Sequence, residues 1–175
     1  VKQGRWERDQ FRGHDLCGYN LGIVGVGRIG EKIALMGHAF GMSVGGFDPY
    51  TPNRVNGLQY FDALHPLLKW ANVVCLHVPS NEETQHLIGA DEFAVLSKGA
   101  YLINTSRGDI IEEDALLVAL ETGHLAGAAL DVLKNEKKII ENTENALINY
   151  ARRNDNLVIT PHIGGATYES MEKTE

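Results

Sequence analysis

The chain has 175 residues, a length that suits one domain of ordinary size. Hydrophobic residues make up 43% of it and charged residues 22%, which are globular proportions and exclude a largely disordered protein. The formal net charge is -7, from 16 basic and 23 acidic side chains, and this acidity argues against a nucleic-acid-binding protein.

Apolar runs of strand length alternate with helical patterns in the first half of the chain. Apolar residues follow one another at helical spacing at Ile29, Ile33, Met36 and Phe40, and Gly41 marks the predicted end of this helix. The predicted elements are, in order, a strand at 21–26, a helix at 29–40, a strand at 42–47, a turn-rich stretch at 51–59, a short helix at 63–70 and a strand at 73–78.

The same alternation continues to the end of the chain. The predicted elements are a helix at 91–96, strands at 100–104, 125–132 and 157–160, helices at 112–121 and 145–152, and a polar, helix-like run at 168–175. Uninterrupted apolar runs in the sequence are typical of strands that are buried on both faces. The sequence therefore predicts an α/β fold whose parallel sheet is covered by helices.

The chain contains two cysteines, too few for a disulfide framework. Cys75 lies in an apolar run and is predicted to be a buried free thiol. No apolar stretch is long enough to span a membrane, and the polar start of the chain does not resemble a signal peptide. A cytoplasmic protein is therefore expected, with no membrane partner.

The segment Gly25-Val26-Gly27-Arg28-Ile29-Gly30 has the glycine spacing of a dinucleotide-binding loop, and it follows a predicted strand and opens a predicted helix. Gly25 would permit the tight turn, Gly27 would let a pyrophosphate approach the backbone, and Gly30 would let the helix pack close to the strand. The helix N-terminus would offer free N–H groups to the phosphates. The alternative is a generic turn between a strand and a helix.

Asp48 closes the second predicted strand, at the position where a carboxylate can accept hydrogen bonds from the ribose hydroxyls of NAD. Its charge would repel the additional phosphate of NADP. Arg54 is the nearest basic residue, so the sequence does not strictly exclude NADP. NAD is the expected cofactor.

Five motifs occur in a fixed order along the chain: GVGRIG at 25–30, LHVP at 76–79, NTSRG at 104–108, ALDV at 129–132 and TPHIGGAT at 160–167. Together they resemble the nucleotide domain of the D-isomer-specific 2-hydroxyacid dehydrogenases, a family that includes phosphoglycerate, D-lactate and glycerate dehydrogenases. The resemblance covers nearly the whole chain. It implies a Rossmann-type, doubly wound parallel sheet and an oxidoreductase that transfers hydride between NAD(H) and a small D-2-hydroxy acid or 2-keto acid.

The resemblance also implies two catalytic residues with clear chemistry. Arg107 resembles the family's catalytic arginine, and its planar guanidinium suits bidentate contact with a substrate carboxylate. His162 resembles the proton donor, since an imidazole can deliver a proton during reduction and take it back during oxidation. The competing interpretations are a surface arginine in a turn and a structural histidine.

Glu136 resembles the carboxylate that pairs with this histidine and holds its orientation. The family usually has proline directly after this glutamate, whereas this chain has Lys137. Glu141 and Glu144 lie in the same charged stretch, and the distance from Asp131 along the chain favours Glu136. A solvated charged loop is the alternative.

The cofactor-lining positions are also implied by the resemblance. Asp131 corresponds to the family's residue at the nicotinamide end of the site. The other expected cofactor-binding residues are Gly25, Gly27, Arg28, Ile29, Gly30, Asp48, Val78, Pro79, Thr105, Ser106, Gly164 and Gly165. The family gives His77 no catalytic role. No metal is expected, because cysteine and histidine do not cluster at ligand spacing.

Full-length members of the family have a second domain that forms the other wall of the active-site cleft. Residues 1–18 are interpreted as a remnant of the interdomain linker and lead-in, 19–167 as the NAD-binding domain and 168–175 as the start of a C-terminal helix. We therefore expect this chain to lack most of the substrate domain and to bind cofactor with little turnover. The resemblance also implies a homodimer.

Two other functions stay open from the sequence. The chain could belong to an NAD(H)-responsive binding module whose catalytic residues are vestigial, or it could be a remnant that binds no cofactor, because resemblance in fold does not guarantee function. The particular 2-hydroxy acid cannot be read from these motifs.

Overall fold

The computed structural model describes residues 9, 12–50, 55–136 and 145–172, and these form a seven-stranded sheet with helices. The strands are β1 (Asn20–Val24), β2 (Ser43–Phe47), β3 (Gln59–Tyr60), β4 (Val73–Leu76), β5 (Ala100–Asn104), β6 (Leu125–Leu130) and β7 (Leu157–Ile159). The helices are α1 (Arg28–Ala39), α2 (Leu64–Trp70), α3 (Ala90–Val95), α4 (Glu113–Glu121), α5 (Ala146–Ala151) and α6 (Tyr168–Met171), with a 3₁₀ helix at Gly108–Ile110.

The strand order is β3-β2-β1-β4-β5-β6-β7, and every neighbouring pair is parallel. The chain starts at the centre, moves outward to β3, returns to place β4 beside β1, and then moves outward on the other side. This reversal confirms the predicted doubly wound sheet of the Rossmann type. It also creates a crevice at the carboxyl ends of β1 and β4, which is where open sheets of this kind bind ligands.

Helices α2 to α5 pack on one face of the sheet. Leu67, Leu68, Leu116 and Leu147 from these helices are fully or almost fully buried against strand residues such as Leu102. Each fully buried leucine side chain contributes about 1.5–3 kcal/mol to folding. This larger core supports the strands whose carboxyl ends carry the site described below.

Helix α1 packs on the opposite face, mainly through residues other than those that predict it; of the predicting residues, Ile33 is partly buried against this core. Its buried residues are Gly30, Ala34 and Gly37, whereas Met36 is 56% exposed and Phe40 is 60% exposed. A Cβ atom on Gly37 would lie 2.7 Å from the side chain of Leu21, so only small residues allow this close helix–sheet contact. The apolar spacing predicts the helix correctly and does not identify its buried face.

The expectation that both faces of every strand are buried is wrong for the α1 side of β5 and β7. Tyr101 on β5 is 40% exposed and Val158 on β7 is 57% exposed. Strand residues alternate between faces, and the neighbours Leu102 and Leu157 are buried on the other side. Among the described residues, α1 packs against the β1, β2 and β4 portion of its face.

The remaining differences from the predicted elements have local causes. Strand β1 ends at Val24 rather than Val26 because Gly25 takes φ +90°, which turns the chain out of the sheet. Strand β3 and the 3₁₀ helix are too short to give a periodic pattern, and the sequence does not predict them. Part of the predicted turn-rich stretch, residues 51–54, lies outside the described residues.

The two cysteines differ sharply in environment. Cys17 is exposed, whereas Cys75 is buried in β4, and burial raises the pKa of its thiol to about 12. We expect a maleimide to label Cys17 in the native chain and Cys75 only after unfolding, because the thiolate is the reactive form. Mass spectrometry of a Cys17→Ser variant measures this directly. Rapid labelling of that variant without denaturant would contradict the described burial.

Candidate functional site

The loop between β1 and α1 is shaped by close backbone contacts. Gly25 has φ +90°, and a Cβ atom there would lie 2.6 Å from the carbonyl oxygen of His77. A Cβ on Gly30 would lie 2.3 Å from the carbonyl oxygen of Gly25. Both positions therefore require glycine, the first for the turn and its contact with the β4 loop, and the second for packing of α1.

Gly27 differs from the other two glycines because open space lies in front of it. A Cβ atom there would meet nothing within 4 Å, and Gly27 is the N-cap of α1 with no side-chain hydrogen bond to the helix end. The first turn of α1 therefore presents backbone N–H groups and the positive end of a 12-residue helix toward this space. This arrangement fits the pyrophosphate of a dinucleotide.

Asp48 lies at the carboxyl end of β2 and braces this loop. Its Oδ2 accepts a hydrogen bond from the N–H of Val26 at 2.9 Å, and its Oδ1 accepts one from the N–H of Tyr50 at 2.9 Å. The carboxylate is therefore part of the loop's own structure as well as being placed beside the crevice. Arg54, the basic residue nearest to it in sequence, lies outside the described residues.

Asn104 organises the loop that carries Arg107. It is fully buried at the end of β5, where its Nδ2 donates to the carbonyl oxygen of Arg107 at 2.9 Å. Its Oδ1 accepts from the N–H and the hydroxyl of Ser106, at 3.0 and 2.8 Å. Asn104 is not among the residues predicted from the sequence; its signal is a lone amide that closes an apolar strand directly before a charged loop.

Arg107 itself is exposed, and its Nη1 donates to the carbonyl oxygen of Ser106 at 2.6 Å. The next residue, Gly108, is buried against the chain that follows β6. A Cβ on Gly108 would lie 2.1 Å from the carbonyl carbon of Leu133, which is backbone and cannot move aside easily. This contact brings the Arg107 loop next to the segment that leads to Glu136.

Asp131 anchors the loop that carries His162. Its carboxylate accepts hydrogen bonds from the hydroxyl of Thr160 and from the N–H groups of Ile163 and Gly164, at 2.9 and 2.8 Å for the two N–H groups. Its carbonyl oxygen accepts from the N–H of His162 at 2.8 Å. His162 has φ 54°, a left-handed conformation that non-glycine residues adopt only where surrounding contacts hold it.

These contacts also keep Asp131 ionised. Burial by itself disfavours the charged carboxylate, but the hydrogen bonds from Thr160, Gly164 and Ile163, with the nearby charge of His162, lower the pKa of Asp131 below its ordinary value. A charged carboxylate accepts hydrogen bonds more strongly than a neutral one. Asp131 therefore holds the histidine loop through charge-assisted hydrogen bonds.

The structure brings His162 and Glu136 together. Nδ1 of His162 lies 2.8 Å from Oε2 of Glu136, and Oε1 of Glu136 accepts from the N–H of Leu133 at 3.2 Å. The His162 and Glu136 side chains are 49% and 36% exposed. A cavity of about 690 Å³ beside β7 is lined by both His162 and Glu136. Lys137, Glu141 and Glu144 lie outside the described residues.

His77 follows β4 beside the glycine loop. Its N–H donates to the carbonyl oxygen of Val24 at 2.7 Å, and its Nε2 is buried without a hydrogen-bond partner in the described part of the chain. Burial lowers the pKa of His77, so the ring is neutral at pH 7. A ring held neutral by apolar surroundings is consistent with a packing role.

The other predicted cofactor-lining residues follow β1, β4, β5 and β7 at the same, carboxyl edge of the sheet. Val78 contacts the glycine loop, where its Cγ1 would be 2.8 Å from a Cβ on Gly25. A Cβ on Gly164 would lie 2.9 Å from Oδ2 of Asp131, whereas one on Gly165 would meet nothing within 4 Å. The remaining predicted positions are exposed and are Arg28, Ile29, Pro79 and Thr105.

The described residues hold neither a metal-binding cluster nor a membrane-spanning helix. No cluster of three or more His, Cys, Asp or Glu side chains is placed to hold a metal ion within 12–50, 55–136 and 145–172. Over the same part of the chain, every helix is too short or too polar to cross a bilayer.

Residues 1–164 match the family model described as "D-isomer specific 2-hydroxyacid dehydrogenase, NAD binding domain". The chain belongs to this family. The family's NAD-binding domain explains why the glycine loop, the open space at Gly27 and the carboxylate of Asp48 lie at one crevice. It also confirms NAD as the cofactor that the sequence predicts.

Individual relatives are also similar to this chain over almost its whole length. D-3-phosphoglycerate dehydrogenase of Methanocaldococcus jannaschii is 38% identical over 175 residues, which cover 98% of this chain and 32% of that protein. D-lactate dehydrogenase of Aquifex aeolicus, solved with NAD and lactic acid, has a TM-score of 0.88 and 36% identity over 98% of this chain and 54% of that one. An acyclic imino acid reductase solved with NADPH and D-Arg has a TM-score of 0.84 and 30% identity over 98% of this chain and 52% of that one. The chain thus spans about a third to a half of the length of these relatives.

Proposed function

We propose that this chain is the cofactor-holding half of an NAD-dependent dehydrogenase that interconverts a small D-2-hydroxy acid and its 2-keto acid. The observation that carries the proposal is the 2.8 Å contact between His162 and Glu136, at the edge of the sheet that also holds the glycine loop and Arg107. An imidazole oriented by a carboxylate is a suitable acid–base group for a reacting hydroxyl. NAD(H) supplies the hydride acceptor or donor when it is bound.

Each of the three polar groups has one task in this proposal. Arg107 binds the carboxylate of the substrate, and the hydrogen bonds from Asn104 hold its loop in position. His162 gives a proton from Nε2 to the carbonyl oxygen during reduction and takes it back from the hydroxyl during oxidation. Glu136 fixes the ring through Nδ1, which determines the nitrogen that faces substrate.

We also propose that a second domain completes the cleft. The exposure of Arg107 and of the His162 side chain supports this, because water beside the reacting groups weakens their electrostatic effect. The isolated chain would then bind cofactor with little turnover. A homodimer and a cytoplasmic location belong to the same proposal and rest on the resemblance to the family. The choice among lactate, phosphoglycerate and other 2-hydroxy acids is left to the second domain.

The first experiment is calorimetric titration of the chain with NADH, comparing Gly27→Ala with Gly13→Ala. Neither added methyl would meet another atom within 4 Å, so both variants should fold with stability within about 1 kcal/mol of the original. We expect the unsubstituted chain and Gly13→Ala to bind NADH saturably and Gly27→Ala to bind it at least about tenfold more weakly, because a methyl fills the space for the pyrophosphate. Absence of saturable NADH binding by the unsubstituted chain would contradict the proposal.

The catalytic assignment needs the chain together with a substrate domain. In that assembly we expect His162→Gln to lower kcat for 2-keto acid reduction by about 10²- to 10⁴-fold while NADH still binds. A loss of NADH binding equal to the loss of turnover would instead mean that His162 acts in cofactor binding.

A further inference from the structure

Tyr50 connects two acidic side chains across the cofactor crevice. Its backbone N–H donates to Asp48 at the end of β2, and its hydroxyl donates to Oε2 of Glu83 in the loop after β4. These two loops lie on either side of the glycine loop, because β2 and β4 both pair with β1, and the Asp48 position contacts the adenosine ribose in folds of this kind. Glu83 is not among the site residues predicted from the sequence.

The position of Glu83 is set by its loop as well as by Tyr50. The side chain of Asn81 accepts hydrogen bonds from the N–H groups of Glu83 and Thr84, each at 3.0 Å. The hydroxyl of Thr84 donates to the carbonyl oxygen of Pro79 at 2.6 Å, which ties the loop to the end of β4. The carboxylate of Glu83 is thus presented by an organised loop.

Both carboxylates raise the pKa of the Tyr50 hydroxyl. The hydrogen bond from Tyr50 to Glu83 and the charge of Glu83 raise the pKa of Tyr50, and the charge of Asp48 adds to the effect. The phenol therefore stays protonated and available as a donor at pH 7. Two negative charges consequently lie within electrostatic reach of one tyrosine at the ribose end of the crevice.

We propose that Glu83, held by Tyr50, is a second acidic determinant that selects NAD(H) over NADP(H). The 2′-phosphate of NADP(H) would enter a region already bordered by Asp48 and Glu83, and like charges there raise the cost of binding. One solved relative of this chain is described as an NADPH complex, so the same fold holds NADPH in at least one protein. The proposal rests on the family's use of NAD and not on the catalytic roles proposed above.

Glu83 is also a cleaner probe of selectivity than Asp48. Substitution of Asp48 removes a charge and, at the same time, the acceptor for the N–H of Val26 in the glycine loop. Any change in cofactor preference would then be mixed with damage to the pyrophosphate site. Glu83 is exposed, so its replacement by glutamine keeps the loop and removes only the charge.

The test measures Kd for NADH and NADPH with the full chain and with Glu83→Gln, Tyr50→Phe and Glu82→Gln. Glu82→Gln is the matched control, because it removes the same charge one residue away from the Tyr50 contact. At low ionic strength we expect Glu83→Gln to tighten NADPH binding about three- to tenfold, by screened Coulomb interaction, and to change NADH binding by less than about twofold. Tyr50→Phe should give an intermediate gain in NADPH affinity, since Glu83 keeps its charge but loses the hydroxyl that holds it in position.

Salt supplies a second readout. The gain in NADPH affinity for Glu83→Gln should become smaller as ionic strength rises, because salt screens exposed charges. Equal changes in NADPH affinity for Glu83→Gln and Glu82→Gln would overturn the proposal, since net charge alone would then explain them. A gain in NADH and NADPH binding by the same factor would also overturn it. If the unsubstituted chain binds neither cofactor, the assignment of the crevice fails, and the role of Glu83 fails with it.

Discussion

Replacing Asp131 with alanine should lower the free energy of unfolding by about 2–4 kcal/mol and release the loop that carries His162. The carboxylate of Asp131 is buried and accepts three hydrogen bonds, from Thr160, Ile163 and Gly164. Without it, the left-handed backbone of His162 loses the contacts that hold it. Urea denaturation measures the stability, and backbone NMR of residues 160–164 measures the order of the loop.

Asp131→Asn isolates the contribution of the charge. The pKa of Asp131 is lower in the folded chain than its ordinary value of 3.8, so the stabilisation is fully present above the unfolded pKa and is lost as pH falls through the folded one. The difference in stability between the unsubstituted chain and Asp131→Asn should therefore be largest above about pH 5 and shrink as pH falls below the unfolded pKa of Asp131. A difference that stays constant down to pH 2 would contradict the charge-assisted hydrogen bonds.

Gly108→Ala should be the most damaging glycine substitution near the catalytic residues. The added Cβ would lie 2.1 Å from the carbonyl carbon of Leu133, 2.3 Å from its oxygen and 2.4 Å from the nitrogen of Lys134. All three are backbone atoms, so one segment must move, and we expect a loss of about 3 kcal/mol or more, or failure to fold. The displacement would also separate the Arg107 loop from Glu136.

Gly165→Ala is the matched control for this prediction. It lies in the His162 loop, and its Cβ would meet nothing within 4 Å, so its stability should change by less than about 1 kcal/mol. Both variants are compared by urea denaturation. Equal stabilities for Gly108→Ala and Gly165→Ala would show that the packing of the Arg107 loop against Leu133 is looser than described.

The sequence predicts the fold because parallel strands and the helices between them leave strong apolar patterns. It does not predict which face of α1 is buried, since the contact depends on Gly30, Ala34 and Gly37, and small residues give little apolar signal. It also predicts full burial of the sheet, whereas Tyr101 shows that an apolar strand residue can face solvent. Apolar periodicity reports that an element forms, and packing partners far along the chain decide what it buries.

The same distinction holds for the site. The glycine spacing predicts the loop, and the structure assigns Gly25 and Gly30 to backbone packing and leaves space at Gly27. Glu83 escapes prediction because its contact with Tyr50 joins residues that are far apart in sequence. A single glutamate in a sequence carries no record of a partner so far along the chain. Asn104 contacts its near neighbours Ser106 and Arg107, and its signal, one amide at the end of an apolar strand, is too weak to be distinctive. The catalytic roles of Arg107, Glu136 and His162 stay predictions that the enzyme assay decides.

The pairing of β1 with β4 has a consequence for the order in which the chain folds. β1 pairs with β2 on one side, its near neighbour in sequence, but on the other side Leu21 pairs with Val73, far along the chain. The β1–β4 seam can close only after the chain between them has become compact, and such non-local closure is slow. The crevice lies on this seam, so we expect the cofactor site to be completed late in folding, when the two halves of the sheet join.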